Sequence, residues 1–557
     1  EVIDIGEEFK RMIGAEGEYG NLVLDKFIVA FAEYNTNLFA WKIVSYLQTR
    51  RNQFYPLRKA KPLKIFQVGG GVVGMRAAVE FAIAGAHVTV AEMRTVINRP
   101  NILHLWDWSR ADLLMLGCKV PWISGEMHQH VGTKEYQNIM IRAAILAGAK
   151  VRLGARFTGI NPPSPDTSAE HFTAEYVQGG ETKTAPFDVI VDGSGASARV
   201  VGKLLKIPLR KEPASKEAIG CVGNYQRKPE NRVKNWPEHS LAKHLAKSWF
   251  EQAADDECLV NSTTGPTCPN IDLENIVMYQ QNTFYTVLTP KRKSLIDNGV
   301  IDKSAQKAFS DLGVVNKVKL NKMVKNTLAF FLQKTMEYDL HKGTLPRSVL
   351  LAREKALETI YHDVENLEET KTASGSNWAT CFDFSYKIYS EYSGRIMVHP
   401  RSKRIAVSFM IGDALQVPFW PQGLGINRGG MSVFDTAEII RRLPEHATEN
   451  GLETENVKML MRRRECAWRN FQKSIEASTA HTVIPTGLTI KNEKERTKQC
   501  FHTIPVQGKV GPKLQKFDLN IPKITDPKYS VHYLKFPHIV NDSDVLDPIE
   551  ITEPLHV

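Results

Sequence analysis

The sequence predicts an α/β protein: an open, mostly parallel sheet, interrupted by an inserted mixed α+β domain and preceded by a helical segment. Three observations carry this. From about 64 to 160 a strand, a glycine turn, a helix and further strands and helices alternate. The strand RIAVSFMIGD (404–413) and a helix over 426–442 return to the same pattern. Between them, strands such as NIVMYQQNTFYTVLT mix with the helical segments SAQKAFSDLG and PRSVLLAREKALETIYHDV. Strict alternation marks a parallel α/β sheet, whereas the mixed stretch reads as a second domain placed inside the first.

These patterns divide the chain of 557 residues into a helical N-terminal segment (1–60), a nucleotide-binding domain (61–210 and 400–490), an insertion (211–399) and an irregular tail (491–557). In the first segment Phe27, Ala30, Phe31, Tyr34 and Phe39 recur at helix-like spacing. The tail, with its KNEKERTK run and scattered prolines, either wraps on the body or binds a partner.

Composition narrows the function classes. A hydrophobic content of 42% and a charged content of 24% describe an ordinary globular chain. No apolar run reaches the ~18–20 residues of a membrane span. The start, EVIDIGEEFK, has no signal-peptide pattern, and its lack of Met leaves a trimmed leader open. Seven Cys without paired spacing predict reduced thiols and a cytoplasmic setting. Cys258 and Cys268 form no CxxC, and His128 and His130 have no companion ligands, so no metal site is expected. The net charge of +11 is either a solvated basic surface or the mark of an acidic partner: nucleic acid, membrane or an acidic protein polymer. The basic residues are spread along the chain and no nucleic-acid motif appears, which leaves an acidic protein surface.

Gly69, Gly71 and Gly74 follow the strand KIFQV and open the helix MRAAVEFAIAGA. Glycines let the backbone turn tightly and approach a pyrophosphate, whose charge is stabilised at the helix N-terminus. The next strand, HVTVAE, ends in Glu92, where a carboxylate can bind ribose hydroxyls. The context reads as a Rossmann-like dinucleotide site, the alternative being a purely structural turn. Gly412 and Asp413 end a later strand and precede a loop with Pro421, Gly423 and Gly425. An Asp there can bind the ribityl hydroxyls of FAD, and the following helix N-terminus can stabilise negative charge on the flavin pyrimidine. A nicotinamide-only enzyme has no need of this second site. Asp192-Gly193, with Arg199 nearby, completes a three-part pattern of aromatic hydroxylase/glutathione reductase type flavoproteins, although an ordinary turn explains Asp192-Gly193 as well.

NILHLW (101–106), NIDLENIVMY (270–279), FDFS (382–385) and GDALQVPFWPQGLGINRG (412–429) resemble one family, the flavin monooxygenase domain of the MICAL proteins, over roughly 60–445. The resemblance implies FAD as cofactor, NADPH as reductant and oxidation of methionine side chains of the actin filament, hence a cytoskeleton-associated protein. It implies FAD contacts at Glu92, Arg94, Arg99, Asn101, Phe157, Tyr285 and Asp413, and places Trp420 beside the isoalloxazine ring. Arg94 and Arg99 suit a pyrophosphate, or are surface arginines. Phe157 offers backbone groups near the adenine, or is core; Tyr285 is a contact, or a packed strand residue. Arg199 is the candidate contact for the NADPH phosphate.

Departures accompany the match. The family's Gly-x-Gly-Pro-Cys-Gly is here GGGVVG, and its Gly-Thr-Gly is Gly423-Leu424-Gly425. Neither removes a backbone donor. No calponin-homology module is visible in 446–557. The expected activity is an NADPH-dependent FAD monooxygenase acting on actin methionine. The alternatives are a small-molecule aromatic hydroxylase on the same scaffold and a non-catalytic filament-binding protein.

Overall fold

The computed structural model describes residues 10–16, 21–34, 63–99, 101–105, 109, 113, 116, 130–163, 171–196, 198–214, 217–226, 236–243, 246–255, 269–280, 283–309, 311–371, 379–417, 424–448, 451–452, 454–477 and 548–557. Its centre is a seven-stranded sheet: β1 (Lys64–Val68), β2 (His87–Glu92), β3 (Lys150–Leu153), β4 (Val189–Asp192), β5 (Gly394–Val398), β6 (Ile405–Met410) and β7 (Ile549–Glu550). The order is β7-β5-β6-β4-β1-β2-β3. From β6 to β3 neighbouring strands are parallel, while β5 runs antiparallel to β6. Both faces of this sheet are covered, which is why β4 and β6 are buried along their whole length.

Side chains alternate between two cores. Ile65, Val88, Val90 and Val407 point toward helices Val72–Ile83, Thr133–Leu146 and Leu424–Arg442, whose Phe81, Met140 and Val433 complete that layer. Phe66, Ile190 and Ala406 point the other way, onto Phe157, Phe172, Tyr176 and Phe187. The last four belong to an antiparallel meander, Ala155–Asn161, Phe172–Gln178 and Glu181–Phe187.

The inserted domain is a five-stranded antiparallel sheet in the order His239–Ala242, Leu273–Gln280, Thr283–Pro290, Ile219–Gln226, Thr380–Asp383. One face packs on helix Lys317–Lys342 through Cys221, Tyr225, Leu288 and Phe331. The other carries Val222, Val277, Tyr279, Tyr285 and Val287 and meets Ile102 of the nucleotide-binding domain. A small sheet of Leu209–Pro213, Tyr386–Ser390 and Gln416–Val417 pins the junction. Strand β5 lies within the 211–399 range assigned to the insertion, so the return to the central sheet comes earlier than the sequence pattern placed it.

Other differences have local causes. SAQKAFSDLG is not a helix: a single 3-10 turn, Lys303–Gln306, is capped by Asp302, and the chain then turns left-handed at Phe309 (φ 59°) and Gly313 (φ 63°). PRSVLLAREKALETIYHDV splits into helices Arg347–Leu357 and Ile360–Glu365. The N-terminal helix spans Asn21–Tyr34; Phe39 lies outside the described residues. The end of the assigned tail is ordered: it supplies β7 beside β5 and Leu555–His556 beside Ala155–Asn161. Among the described residues no helix is long and apolar enough to cross a membrane, and no three His, Cys, Asp or Glu gather as metal ligands.

Candidate functional site

The three motifs meet where β1, β4 and β6 end. Gly69 has φ 99°, and a Cβ on it would stand 2.5 Å from the Gly193 carbonyl. A Cβ on Gly74 would stand 2.3 Å from the Gly69 carbonyl. Val73, at one of the turn's departures from the family pattern, fills the space left by Gly412 and Gly429: Cβ atoms there would come within 3.1 and 2.4 Å of it. Gly69, Gly74, Gly412 and Gly429 are thus required by close approach of the protein to itself. Gly71 differs. It caps helix Val72–Ile83 in extended conformation, and among the described residues a Cβ there would meet nothing within 4 Å. The open side of the turn lies at Gly71, over the unsatisfied amides of the first helical turn.

The carbonyls of this turn are held from behind. Gln67, fully buried in β1, donates its Nε2 to the carbonyls of Gly69 (3.1 Å) and Gly74 (2.7 Å). Gln137 donates to the Gly70 carbonyl at 2.5 Å. Glu92, buried at the end of β2, accepts from the amides of Gly70 (2.8 Å) and Arg94 (3.0 Å). Neither glutamine carried a motif. The signal for Gln67 was a polar residue inside an otherwise apolar strand.

Asp413 lies in the turn Gly412–Ala414 that follows β6. Solvent reaches its side chain, yet protein surrounds it deeply enough for desolvation to raise its carboxyl above the ordinary range, with Arg99 opposing the shift. Arg99, exposed, also acts on Tyr285, whose phenol burial pushes up to about 12 while Asn101 opposes. Asn101 Nδ2 donates to the Tyr285 hydroxyl at 3.4 Å, and Asn101 Oδ1 is buried without a hydrogen-bond partner among the described residues. Segments 99–101, 285 and 413, far apart in sequence, are therefore neighbours in space. Arg428, in the second turn of helix Leu424–Arg442, is buried, and desolvation alone lowers its guanidinium to about 10. That second cation near the helix start was missed from sequence.

Other predicted residues take different places. Arg199 is no phosphate contact: it is 2% exposed, with φ 40°, and its guanidinium is spent on the Ala414 carbonyl (2.8 Å) and Ser390 Oγ (3.0 Å). Asp192 is fully buried and accepts from Ser194 N, Ser194 Oγ and Gly202 N, so it ties the turn together. The Phe157 ring is core, 6.2 Å from Phe66, which leaves only its backbone for a ligand. Arg94 is half-exposed, its guanidinium turned back to within 3.8 Å of Glu92. Trp420, Pro421 and Gly423 lie outside the described residues. A crevice of about 490 Å³ lined by Lys243, Glu251 and Asp272 shares no residue with this site.

The donor set suits a flavin dinucleotide. The turn offers amides at Gly71 for a pyrophosphate, Asp413 a solvent-reached acceptor for hydroxyls, Arg99 a cation, and Asn101 Oδ1 an acceptor lacking a donor.

A family profile described as "Mical, Rossman domain" matches residues 263–344. That stretch holds strands Leu273–Gln280 and Thr283–Pro290 and helix Lys317–Lys342, all in the inserted domain. The chain is 29% identical over 394 residues to "[F-actin]-monooxygenase MICAL1" of Homo sapiens, covering 70% of this chain and 33% of that protein. It is 30% identical over 386 residues to the mical1 protein of Danio rerio, covering 68% and 28%. It is 28% identical over 384 residues to MICAL2 of Rattus norvegicus, covering 68% and 17%. The chain thus spans about a third or less of the length of these relatives. A solved complex of aklavinone-11 hydroxylase with FAD and aklavinone aligns at 13% identity and a TM-score of 0.42, over 76% of this chain and 69% of that one, a likeness too remote to carry an argument.

Proposed function

We infer that this chain, related over about 70% of its length to the MICAL flavin monooxygenases, is an FAD monooxygenase that draws electrons from NADPH and oxidises protein methionine on actin filaments. The observation that carries the reading is that the Gly69–Gly74 turn, the Asp413 turn and the Asn101–Tyr285 pair come together in space. The relatives' names, which specify filamentous actin, support the substrate, and the +11 charge suits an acidic filament.

Bound FAD supplies two-electron chemistry and activation of dioxygen. The overall change balances as thioether, O₂, NADPH and a proton giving sulfoxide, water and NADP⁺. The protein's share is positioning. The Gly71 opening and helix Val72–Ile83 receive the pyrophosphate, Glu92 the adenosine ribose and Asp413 the ribityl hydroxyls. Arg94 and Arg99 add positive charge, and the Phe157 backbone borders the adenine. Tyr285, uncharged at any working pH, keeps its proton as a donor while Asn101 bonds its oxygen. The apolar sheet face around Val222, Tyr279 and Val287 excludes water. By resemblance Trp420 stands beside the ring. Sulfur oxygenation needs no acid–base pair from the protein, and none is assigned. The setting is cytoskeletal.

The purified protein should show a flavin absorbance spectrum that bleaches with NADPH under anaerobic conditions. With filaments and air, specific actin methionines should gain one oxygen. Asp413→Ala should bind FAD more weakly by ~1.5–3 kcal/mol. A colourless protein that cannot be loaded with FAD would end the flavoenzyme reading. Flavin reduction without methionine oxidation would end only the actin assignment.

A further inference from the structure

The basic residues are spread along the sequence, but the fold gathers one group of them. Between 291 and 325 stand nine Lys or Arg against three Asp, and with Lys291 and Arg292 ion-paired to Glu274 and Glu217 the stretch keeps a balance of +4 within a chain of +11. Three segments of this stretch form one surface of the inserted domain. The Asn316 amide donates to the Val300 carbonyl at 2.8 Å. Arg292 Nη1 donates to the Ala305 carbonyl at 3.0 Å. Lys319 lies across Gly299, its Nζ 2.5 Å from where a Cβ would stand. Lys307, Lys317, Lys319 and Lys322 are exposed, and no ion pair neutralises them among the described residues.

Two further features set this surface apart from a solvated lysine face. Val314 and Val318 are 90% and 81% exposed in the midst of the lysines. Helix Lys317–Lys342 also begins with Lys317 and Lys319 and has no acidic residue in its first turn. That end of a helix favours negative charge, so the lysines there cost stability. Apolar side chains held in water inside a ring of charge are the arrangement of an interface centre and its rim.

We propose that the surface formed by 291–300, 303–307 and 314–322 docks an acidic protein filament, with Val314 and Val318 at the centre of the contact and the lysines around it. Resting on the proposed filament oxidation, this names the face of the protein that meets the filament. The lysines would speed encounter at low salt, and the valines would hold the complex.

The test is the triple variant K317E/K319E/K322E with Val318→Ser beside it, measured by co-sedimentation with filamentous actin at low and physiological salt. Glutamates at a helix N-terminus are favourable, so the triple variant should melt at or above the wild-type temperature, and lost binding cannot be blamed on unfolding. We expect at least tenfold weaker sedimentation at low salt. Flavin content and filament-independent NADPH oxidation should not change. Val318→Ser should weaken sedimentation severalfold at both salt concentrations. Reversing Lys134, Lys355 and Lys371, exposed elsewhere, alters charge equally and should have a much smaller effect. Wild-type sedimentation by the triple variant overturns the docking surface and leaves the methionine oxidase standing if actin is still modified. Duplex DNA bound as tightly as the filament through the same lysines also overturns it, since charge alone would then decide. A wild type that neither sediments with filaments nor oxidises them removes both readings together.

Discussion

Gly71 and Gly74 look alike in the sequence but face different neighbours. A methyl group on Gly74 would run into the Gly69 carbonyl at 2.3 Å, a backbone atom that cannot yield without moving the turn. On Gly71 it would meet no atom of the described residues within 4 Å. Gly74→Ala should therefore lower the melting temperature, at a cost of ~1–3 kcal/mol, and lose FAD as a consequence. Gly71→Ala should melt nearly as wild type while binding FAD at least tenfold more weakly, about 1.4 kcal/mol. Melting curves of the FAD-free proteins together with a flavin titration check both. If Gly71→Ala binds FAD normally, the open side of the turn is not where the pyrophosphate sits.

At the starting edge of the sheet, β1, β2 and β3 begin with Lys64, His87 and Lys150 on adjacent strands. Burial lowers the His87 pKa from 6.5 to about 4, and Lys64 adds to the shift. Between those values the unfolded chain binds the proton and the folded chain does not. Stability should be full above pH 6.5 and decline as pH falls toward 4. Melting temperatures over that range should fall in the wild type and fall less in His87→Gln; parallel curves would clear His87 of the effect. The strands here were legible because parallel strands buried on both faces read as apolar runs between turn residues. Helix Lys317–Lys342 was not. It buries residues on several sides, Met323, Phe330 and Phe331 among them, so no single stripe marks it, although Asn316 and Gly343 (φ 61°) cap its ends. At the candidate site, the turn at Gly69 and the strand ends at Glu92 and before Asp413 were legible because backbone turns and strand ends leave local signatures. Arg199 was not, since only the folded chain shows its guanidinium turned inward on Ala414 and Ser390. Gln67 and Gln137 act through contacts that no spacing encodes.

For the molecule as a whole, what matters is how the two domains and the last strands are joined. The insertion leaves and returns through the small sheet of Leu209–Pro213, Tyr386–Ser390 and Gln416–Val417, and Arg199 bonds both Ser390 and Ala414 beside it. The proximity of Asn101, Tyr285 and Asp413 thus depends on the relative placement of both domains. Segment 548–557 adds β7 to the central sheet and Leu555–His556 to the meander, and buries Ile551 between them. Deleting it should expose the edges of both sheets, lower the melting temperature and increase aggregation, with FAD affinity changing little in whatever remains soluble. A deletion that melts and sediments as wild type would make those strands dispensable. The same segment sets a schedule for biosynthesis. A ribosome completes β1 to β6 and the whole insertion well before it reaches Ile549, so until β7 and Leu555–His556 emerge the nascent chain carries two unpaired sheet borders open to other chains.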